Sequence, residues 1–440
     1  MNYHQALKFL RQLTKFGINL GLGRMEELLR RLGDPHRRLR FFHIGGTNGK
    51  GSVAAMVATI LQVAGYRVGL FTSPHLHSYT ERIRLDGQEI PKEDVAYLLT
   101  LLRPVLEDMV KDGFEHPTEF EVTTALALYY FAEVKPDYVV LEVGLGGSID
   151  STNIIPASEV SIITNVGLDH MEYLGATLPE IAREKAGIIK EDGVVVTGVD
   201  KPEPLEVIEK ACQQKGATLY RLGRDIHFKE VALSQEGGEL DWEGLGRCYQ
   251  GLKISLLGRH QLINASLAVA AIEAARRHRG LRVTEDQIRE GLAKVFWPGR
   301  LEVVGKNPLV ILDGAHNYDG ALALKQALEE IFSYRHLILV LGMLADKERE
   351  KMVSLLAPLA QRVIVTRPNS PRAGDWEKLA FYARRFTPHV QAVRNISQAL
   401  QIALSLAGPE DLICATGSLY MIADARKWFL KHKKEDFAVK

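Results

Sequence analysis

The chain has 440 residues, 46% of them apolar and 25% charged, which excludes intrinsic disorder and a small disulfide-stapled scaffold and leaves room for two domains, or three. Its 55 Lys and Arg against 54 Asp and Glu leave a formal net charge of +1, so no bulk field draws in nucleic acid or an acidic membrane, although a local basic pocket is allowed. Cys212, Cys248 and Cys414 are widely separated and form no CxxC pair, which argues against a disulfide framework or a thiolate zinc site and fits a reducing compartment.

Residues 1–13, interrupted by Lys8 and Arg11, read as an amphipathic helix and not as the apolar core of a signal peptide. No uninterrupted apolar stretch approaches the ~18 residues of a spanning helix, so a soluble, cytoplasmic protein is expected. From residue 41, short β-rich runs (41–46, 66–73, 138–144) alternate with helical patterns (53–65, 125–134). The rhythm continues through 160–167, a helical 181–187 and 194–198. Strand, crossover helix and strand at this spacing predict a doubly wound, mostly parallel sheet covered on both faces.

Between 225 and 259 short strands joined by polar, Gly-rich turns predict a small antiparallel appendage on this first domain. Helical patterns over 260–276 and 284–294 follow, and Pro298 and Gly299 halt the second. After them the βα rhythm restarts, with strand patterns near 308, 336, 362 and 411 and helices near 319–332 and 346–359. The expected architecture is therefore an N-terminal doubly wound α/β domain, 1–296, and a smaller C-terminal α/β domain, 297–440. Ligands in such sheets bind at the carboxyl ends of strands, and two such ends facing each other would form a cleft.

The sharpest chemical signal is the segment His43 to Ser52, between a strand and an apolar helix. Glycines bring backbone N–H groups close to an anion, the helix start adds positive potential, Lys50 can reach outer phosphates and Ser52 can meet phosphate or Mg²⁺. The strict P-loop pattern is missed, because Gly45 is one residue too close to Gly49 and Gly51 separates Lys50 from Ser52; a purely structural turn is the alternative. Glu142 ends an apolar strand, where a carboxylate can hold a divalent metal or equally bond loop amides or an arginine. Asp169 and His170 end the next strand; alone, His170 reads as a structural histidine, and beside the phosphate loop and Glu142 it reads as a ligand. Lys185, near a helix end, has the dipole as a sufficient explanation. In the second domain Asp313 and His316 close a strand and can meet a nucleotide or an amine, Asn317 is a helix cap or a ligand, and Arg300 offers its fork to phosphate or stands as a solvated hinge.

Taken in order, the segments 45–52, 72–87, 142–147, 164–175, 184–190, 296–300, 313–317 and 416–420 run through nearly the whole chain and resemble the folylpolyglutamate synthases and bifunctional dihydrofolate/folylpolyglutamate synthases of the Mur ligase superfamily. The resemblance implies an ATP-dependent acid–amino-acid ligase: ATP phosphorylates a folate or pteroate carboxylate and the amine of L-glutamate displaces the phosphate. It assigns ATP binding to Thr47, Asn48, Gly49, Lys50, Gly51 and Ser52, and to Asn264, Arg300, Asp313 and His316. It assigns two Mg²⁺ ions to Ser52, Ser73, Glu142, His170 and Lys185, with Lys185 carried as a carbamate. Lys50, Lys185 and His316 become the catalytic candidates, His316 as a base for the glutamate amine. Residues 17–22 and 75–82 match regions near the pterin and a mobile loop. Tyr318 stands where many relatives have Pro.

The implied partners are tetrahydrofolate or its polyglutamates, L-glutamate and, as an open option, dihydropteroate, with no nucleic acid or membrane and a monomeric chain. Asn19 occupies a position where some bifunctional relatives carry Asp. Another Mur-superfamily amide ligase and an ATPase switch or binding protein are the competing readings.

Overall fold

The runs 41–45, 138–142, 160–163 and 194–197 lack polar alternation, the pattern of strands buried on both faces, and in the computed structural model each is a buried parallel strand. The structure describes residues 1–17, 19 and 21–432. They fall into two units, one of residues 1–229, 240–253 and 263–295, the other of 230–239, 254–262 and 296–440.

The first unit holds eight strands: β1 (Phe41–Gly45), β2 (Val68–Phe71), β3 (Ile83–Leu85), β4 (Gln88–Glu89), β5 (Tyr138–Glu142), β6 (Val160–Ile163), β7 (Val194–Thr197) and β8 (Thr218–Arg221). Their order is β4-β3-β2-β5-β1-β6-β7-β8, with every pairing parallel except β2–β3 and β3–β4, so that β3 alone runs against the rest. One apolar cluster gathers the helices Tyr3–Leu13, Lys92–Lys111 and Glu119–Val134 through Leu10, Leu99, Leu102 and Phe131. A second gathers Leu178–Ala186 and Pro202–Gln214 through Ile181 and Ile208. Helix starts are specified locally: Thr118 and Glu121 form a reciprocal capping box at the head of Glu119–Val134, and Thr177 and Glu180 do the same for Leu178–Ala186.

The small sheet expected over 225–259 is present as β9 (Ile226–Ser234), β10 (Gly237–Gly244) and β11 (Arg247–Ile254), in the order β11-β10-β9. Leu245 and Gly246 both have positive φ, 51° and 80°, the geometry of a tight two-residue hairpin turn. The structure divides this sheet between the units: 240–253 group with the first, while 230–239 and 254–262 group with the second.

The second unit carries β12 (Glu302–Lys306), β13 (Leu309–Leu312), β14 (Leu337–Leu341), β15 (Arg362–Thr366), β16 (Val390–Val393) and β17 (Leu412–Thr416), ordered β12-β13-β17-β14-β15-β16. Only β12 is antiparallel. Its core joins Leu339, Leu341, Val363, Val365 and Cys414 to Leu324, Leu328, Met352 and Leu379. Both units are thus α/β, the larger one N-terminal. Among the described residues no helix is long and apolar enough to cross a membrane.

Candidate active site

Register brings the chemistry of the first unit to one edge. Gly45 of β1 pairs with Ile163 of β6, Ile44 with Glu142 of β5, and Leu141 with Phe71 of β2. Four parallel strands therefore end side by side, and the residues just beyond them include Thr47 to Ser52, Ser73, Glu142 and Thr164 to His170.

The loop after β1 is built around two glycines. Gly46 has φ 144°, and a Cβ there would lie 1.8 Å from Thr164 Oγ1; Gly49 has φ 83°, and a Cβ would lie 2.4 Å from Asn264 Oδ1. Both positions exclude a side chain on conformation and on space. The loop is also tied to its neighbour: Thr47 N–H donates to Asn165 O (3.1 Å), Asn48 N–H to Asn165 Oδ1 (2.9 Å), Thr164 Oγ1 to Asn48 O (2.6 Å) and Gly167 N–H to Thr47 Oγ1 (2.9 Å). The helix Lys50–Val63 starts at once, with Val53 N–H making the first helical bond to Gly49 O. The amides before it belong to the helix N-terminus, which attracts anions. Lys50 Nζ donates to Gly46 O (3.0 Å) and Thr47 O (3.1 Å), folding the ammonium back against the loop. Ser52 is buried on the first turn.

Glu142, also buried, accepts from Ser73 N–H at 3.0 Å. The segment after Ser73 has its own internal anion. Glu81 accepts from the amides of Leu76 (2.8 Å), His77 (2.8 Å) and Ser78 (2.7 Å). Burial opposes its ionisation, but the three amides outweigh burial and hold the carboxyl below its ordinary range. Arg82 donates to His75 Nδ1 at 2.9 Å, and burial, aided by that guanidinium, takes the imidazole down to about 4.

Lys185 is 3% exposed on the helix Leu178–Ala186. Burial first, then the charge of Lys50, bring its amine down to about 7, against the opposing pull of Asp169 and Asp150. The glycines after Glu142 permit this packing: a Cβ on Gly147 would lie 2.9 Å from Lys185 Cα and 2.4 Å from Glu184 O. Asp150 pins the same loop, accepting from Leu145 N–H (2.8 Å), Thr152 N–H (3.0 Å) and Thr152 Oγ1 (2.5 Å). His43 adds a bond from Nε2 to Thr152 Oγ1 at 2.9 Å, and full burial takes its pKa to about 3. His170 takes a left-handed backbone, φ 52°, with its Nε2 3.9 Å from Asp169 Oδ1. Among the described residues no group of three or more His, Cys, Asp or Glu side chains is arranged to hold a metal.

In the second unit Asp313 directly follows β13 and is buried. Its Oδ2 accepts from Leu301 N–H (3.0 Å) and its Oδ1 from Ala315 N–H (2.9 Å), while Gly314 N–H donates to Gly299 O (2.9 Å). Arg300 is held between these turns, its Nη1 donating to Gly299 O at 3.1 Å. Leu301 has φ 45°, a conformation costing a bulky residue about 1–2 kcal/mol, so the surrounding bonds must hold it. His316 Nδ1 lies 2.8 Å from Gly314 O. A carbonyl only accepts, so Nδ1 carries the hydrogen and the neutral ring has its lone pair on Nε2. Asn317 is a cap: its Oδ1 accepts from Gly320 N–H (2.9 Å) at the head of the helix Tyr318–Glu330.

The family profile described as Mur ligase middle domain matches residues 44–272, and the one described as Mur ligase, glutamate ligase domain matches 299–419. The dihydrofolate synthase/folylpolyglutamate synthase of Bacillus subtilis is 38% identical over 97% of this chain and 98% of its own. Two solved structures are also similar. The folylpolyglutamate synthase of Thermotoga maritima has 39% identity, a TM-score of 0.86 and 97% coverage of both chains. The Mycobacterium tuberculosis folylpolyglutamate synthase complexed with ADP has 35% identity and a TM-score of 0.90, covering 97% of this chain and 99% of that one.

The chain belongs to the folylpolyglutamate synthase/dihydrofolate synthase family of Mur ligases.

As a synthase of this family it is an ATP-dependent ligase. Within its first unit, Lys50 and Ser52 open the helix that follows Gly49, the glycine packed against Asn264, while Ser73 bonds Glu142 and Lys185 senses the charges of Lys50 and Asp169. Within its second unit, Arg300, Asp313 and His316 share one set of turns. Asn19 Nδ2 donates to Glu115 Oε2 (2.7 Å) and Arg24 donates to Asn19 O (2.5 Å), whereas Ile18 and Leu20 of the same segment lie outside the described residues. Reasoning from sequence missed Asp150 and Glu81. A carboxylate followed two residues later by Thr, and Ser78 followed three later by Glu, were the available signals.

Proposed function

We propose that this protein joins the amine of L-glutamate to the terminal carboxylate of tetrahydrofolate or its polyglutamates, with dihydropteroate as a second acceptor to be tested. The likeness to the Bacillus subtilis synthase across both units is the observation that carries the substrate assignment.

In this reading a carboxylate oxygen of the folate attacks the γ-phosphorus of ATP, ADP leaves, and an acyl phosphate forms. The glutamate nitrogen then attacks the acyl carbon, and the tetrahedral adduct expels inorganic phosphate. Thr47 to Ser52 hold the phosphates through amides and the Lys50 ammonium; Asn264, Arg300, Asp313 and His316 contribute to ATP binding. The attacking nitrogen must shed a proton, and His316 Nε2, bearing a lone pair in the tautomer set by Gly314 O, accepts it.

The donor set of the first unit suits Mg²⁺. Glu142 supplies one carboxylate, Ser52 and Ser73 hydroxyls, and His170 a nitrogen, so few protein ligands are on offer; Mg²⁺ keeps several waters and takes phosphate oxygens in addition. When bound, it offsets the charge that develops on the transferring phosphoryl group. Lys185 suits a carbamate: near pH 7 a large share of its amine is neutral, and that nitrogen can add to the carbon of CO₂, losing a proton and leaving an N-carboxylate. The second Mg²⁺ is assigned to that carboxylate. The protein acts as a cytoplasmic monomer.

Purified protein with ATP, Mg²⁺ and L-glutamate tests the proposal, comparing tetrahydrofolate with dihydropteroate and weighing each product. Glutamate-dependent ADP release with a mass gain of one glutamyl residue on tetrahydrofolate supports it; glutamate-independent release turns the reading to an ATPase. Lys185→Ala should lose turnover, and absence of a carbamate carbon signal from active protein held at neutral pH in ¹³C-bicarbonate would reject the carbamate.

A further inference from the structure

The turn that carries Arg300 is fastened from two sides, and only one of them belongs to the loops already described. Asp313 and Gly314 hold it from the end of β13. On the other side, Glu302 Oε2 accepts from Gly299 N–H at 2.9 Å, while both Glu302 oxygens lie 2.9 Å from Arg426 Nε. Arg426 comes from the helix Leu419–His432, far along the chain, and the pair is shielded, with side-chain exposures of 10% for Glu302 and 15% for Arg426.

The turn needs that second fastening. Gly299 and Leu301 both have positive φ, 74° and 45°, and Arg300 lies between them. Glycine takes such a φ at little cost, but Leu301 does not, and its conformation persists only where the surroundings over-determine it. Space is also tight: a Cβ on Gly314 would lie 2.5 Å from Arg300 Nη1 and 2.7 Å from Leu419 Cδ2, so the guanidinium is confined between the β13 loop and the start of the same helix that bears Arg426. A shielded carboxylate stripped of its cation would be left with an uncompensated charge and would turn toward water, releasing Gly299 N–H.

We infer that Arg426, acting through Glu302, is a positioning residue that sets the direction of Arg300 for nucleotide binding. The inference rests on the reading of Arg300 as a nucleotide-binding residue. Arg426 acts through Glu302 and not on the nucleotide itself; it transmits helix position to the turn.

The test measures Mg·ADP affinity by calorimetry on the full-length protein for Arg426→Met, Arg300→Ala and the double variant, with circular dichroism and melting curves as the check on folding. Arg426→Met should weaken ADP binding about tenfold, Arg300→Ala by at least as much, and the double variant no more than Arg300→Ala alone, because both changes remove one interaction. Arg426→Lys, which keeps the charge but not the Nε geometry, should fall between wild type and Arg426→Met, and it serves if the Met variant does not fold. Unchanged ADP affinity in folded Arg426 variants, or losses that multiply in the double variant, would overturn the inference while leaving Arg300 as a ligand. Unchanged affinity in Arg300→Ala would overturn both.

Discussion

The backbone N–H of Ser73 donates to Glu142 Oε2 at 3.0 Å, so the chain leaving β2 is bonded to the carboxylate that closes β5. This bond needs an acceptor, not a negative charge. Glu142→Gln should therefore keep the fold, with a melting temperature close to wild type, and lower turnover roughly a hundredfold by weakening the hold on Mg²⁺. Turnover as a function of Mg²⁺ concentration distinguishes this from simple misfolding: the variant should need more Mg²⁺, and wild-type activity at wild-type Mg²⁺ would remove Glu142 from the metal site.

Gly49 combines a left-handed backbone with a side-chain direction that runs into Asn264. Gly49→Ala should cost about 1–2 kcal/mol of stability from the backbone alone and should displace the loop or Asn264. ADP affinity should drop more than tenfold in protein that still melts cooperatively. An alanine variant binding ADP as wild type does would show that the loop relaxes without harm.

His43 makes stability depend on acidity. Its folded pKa of about 3 lies below the ordinary 6.5, so between those values the unfolded chain takes up a proton that the fold refuses. Stability should fall as pH falls through that window, by about 1.4 kcal/mol per pH unit from this group. In urea unfolding at pH 7, 6 and 5, His43→Gln should start lower but lose less stability on acidification than wild type. Parallel slopes for the two proteins would contradict the assignment.

Asn317 is expected to matter for stability and little for turnover. Its Oδ1 caps Tyr318–Glu330, so Asn317→Ala should cost about 1 kcal/mol in urea unfolding and leave saturated turnover within about twofold. A tenfold fall in turnover would make it a ligand as well.

The parts of this protein that could be read from sequence are those whose determinants are local. A buried strand followed by glycines and an apolar helix announces the tight loop at 45–52, and Glu142 and Asp313 announce themselves as carboxylates at strand ends. The helix Lys92–Lys111 was not anticipated; it carries Pro104 in its interior, where periodicity would be expected to stop. β4 is too short to show a pattern. Lys185 shows the limit most clearly. Its helical position suggests an ordinary solvated lysine, whereas its lowered pKa arises from burial and from Lys50, 135 positions away in the chain. The bonds of Arg426 to Glu302 and of His43 to Thr152 likewise join residues whose partners no local window contains.

The sharing of the β9–β11 sheet has a consequence for how the gene can be cut. The polypeptide passes from one unit to the other at 229/230, 239/240, 253/254, 262/263 and 295/296. No single break separates the two, and a fragment beginning at Phe296 would lack 230–239 and 254–262 of its own unit. Split-gene complementation, domain swapping between relatives and expression of an isolated C-terminal piece are thereby constrained to junctions that carry both inserted segments, 230–239 and 254–262, along.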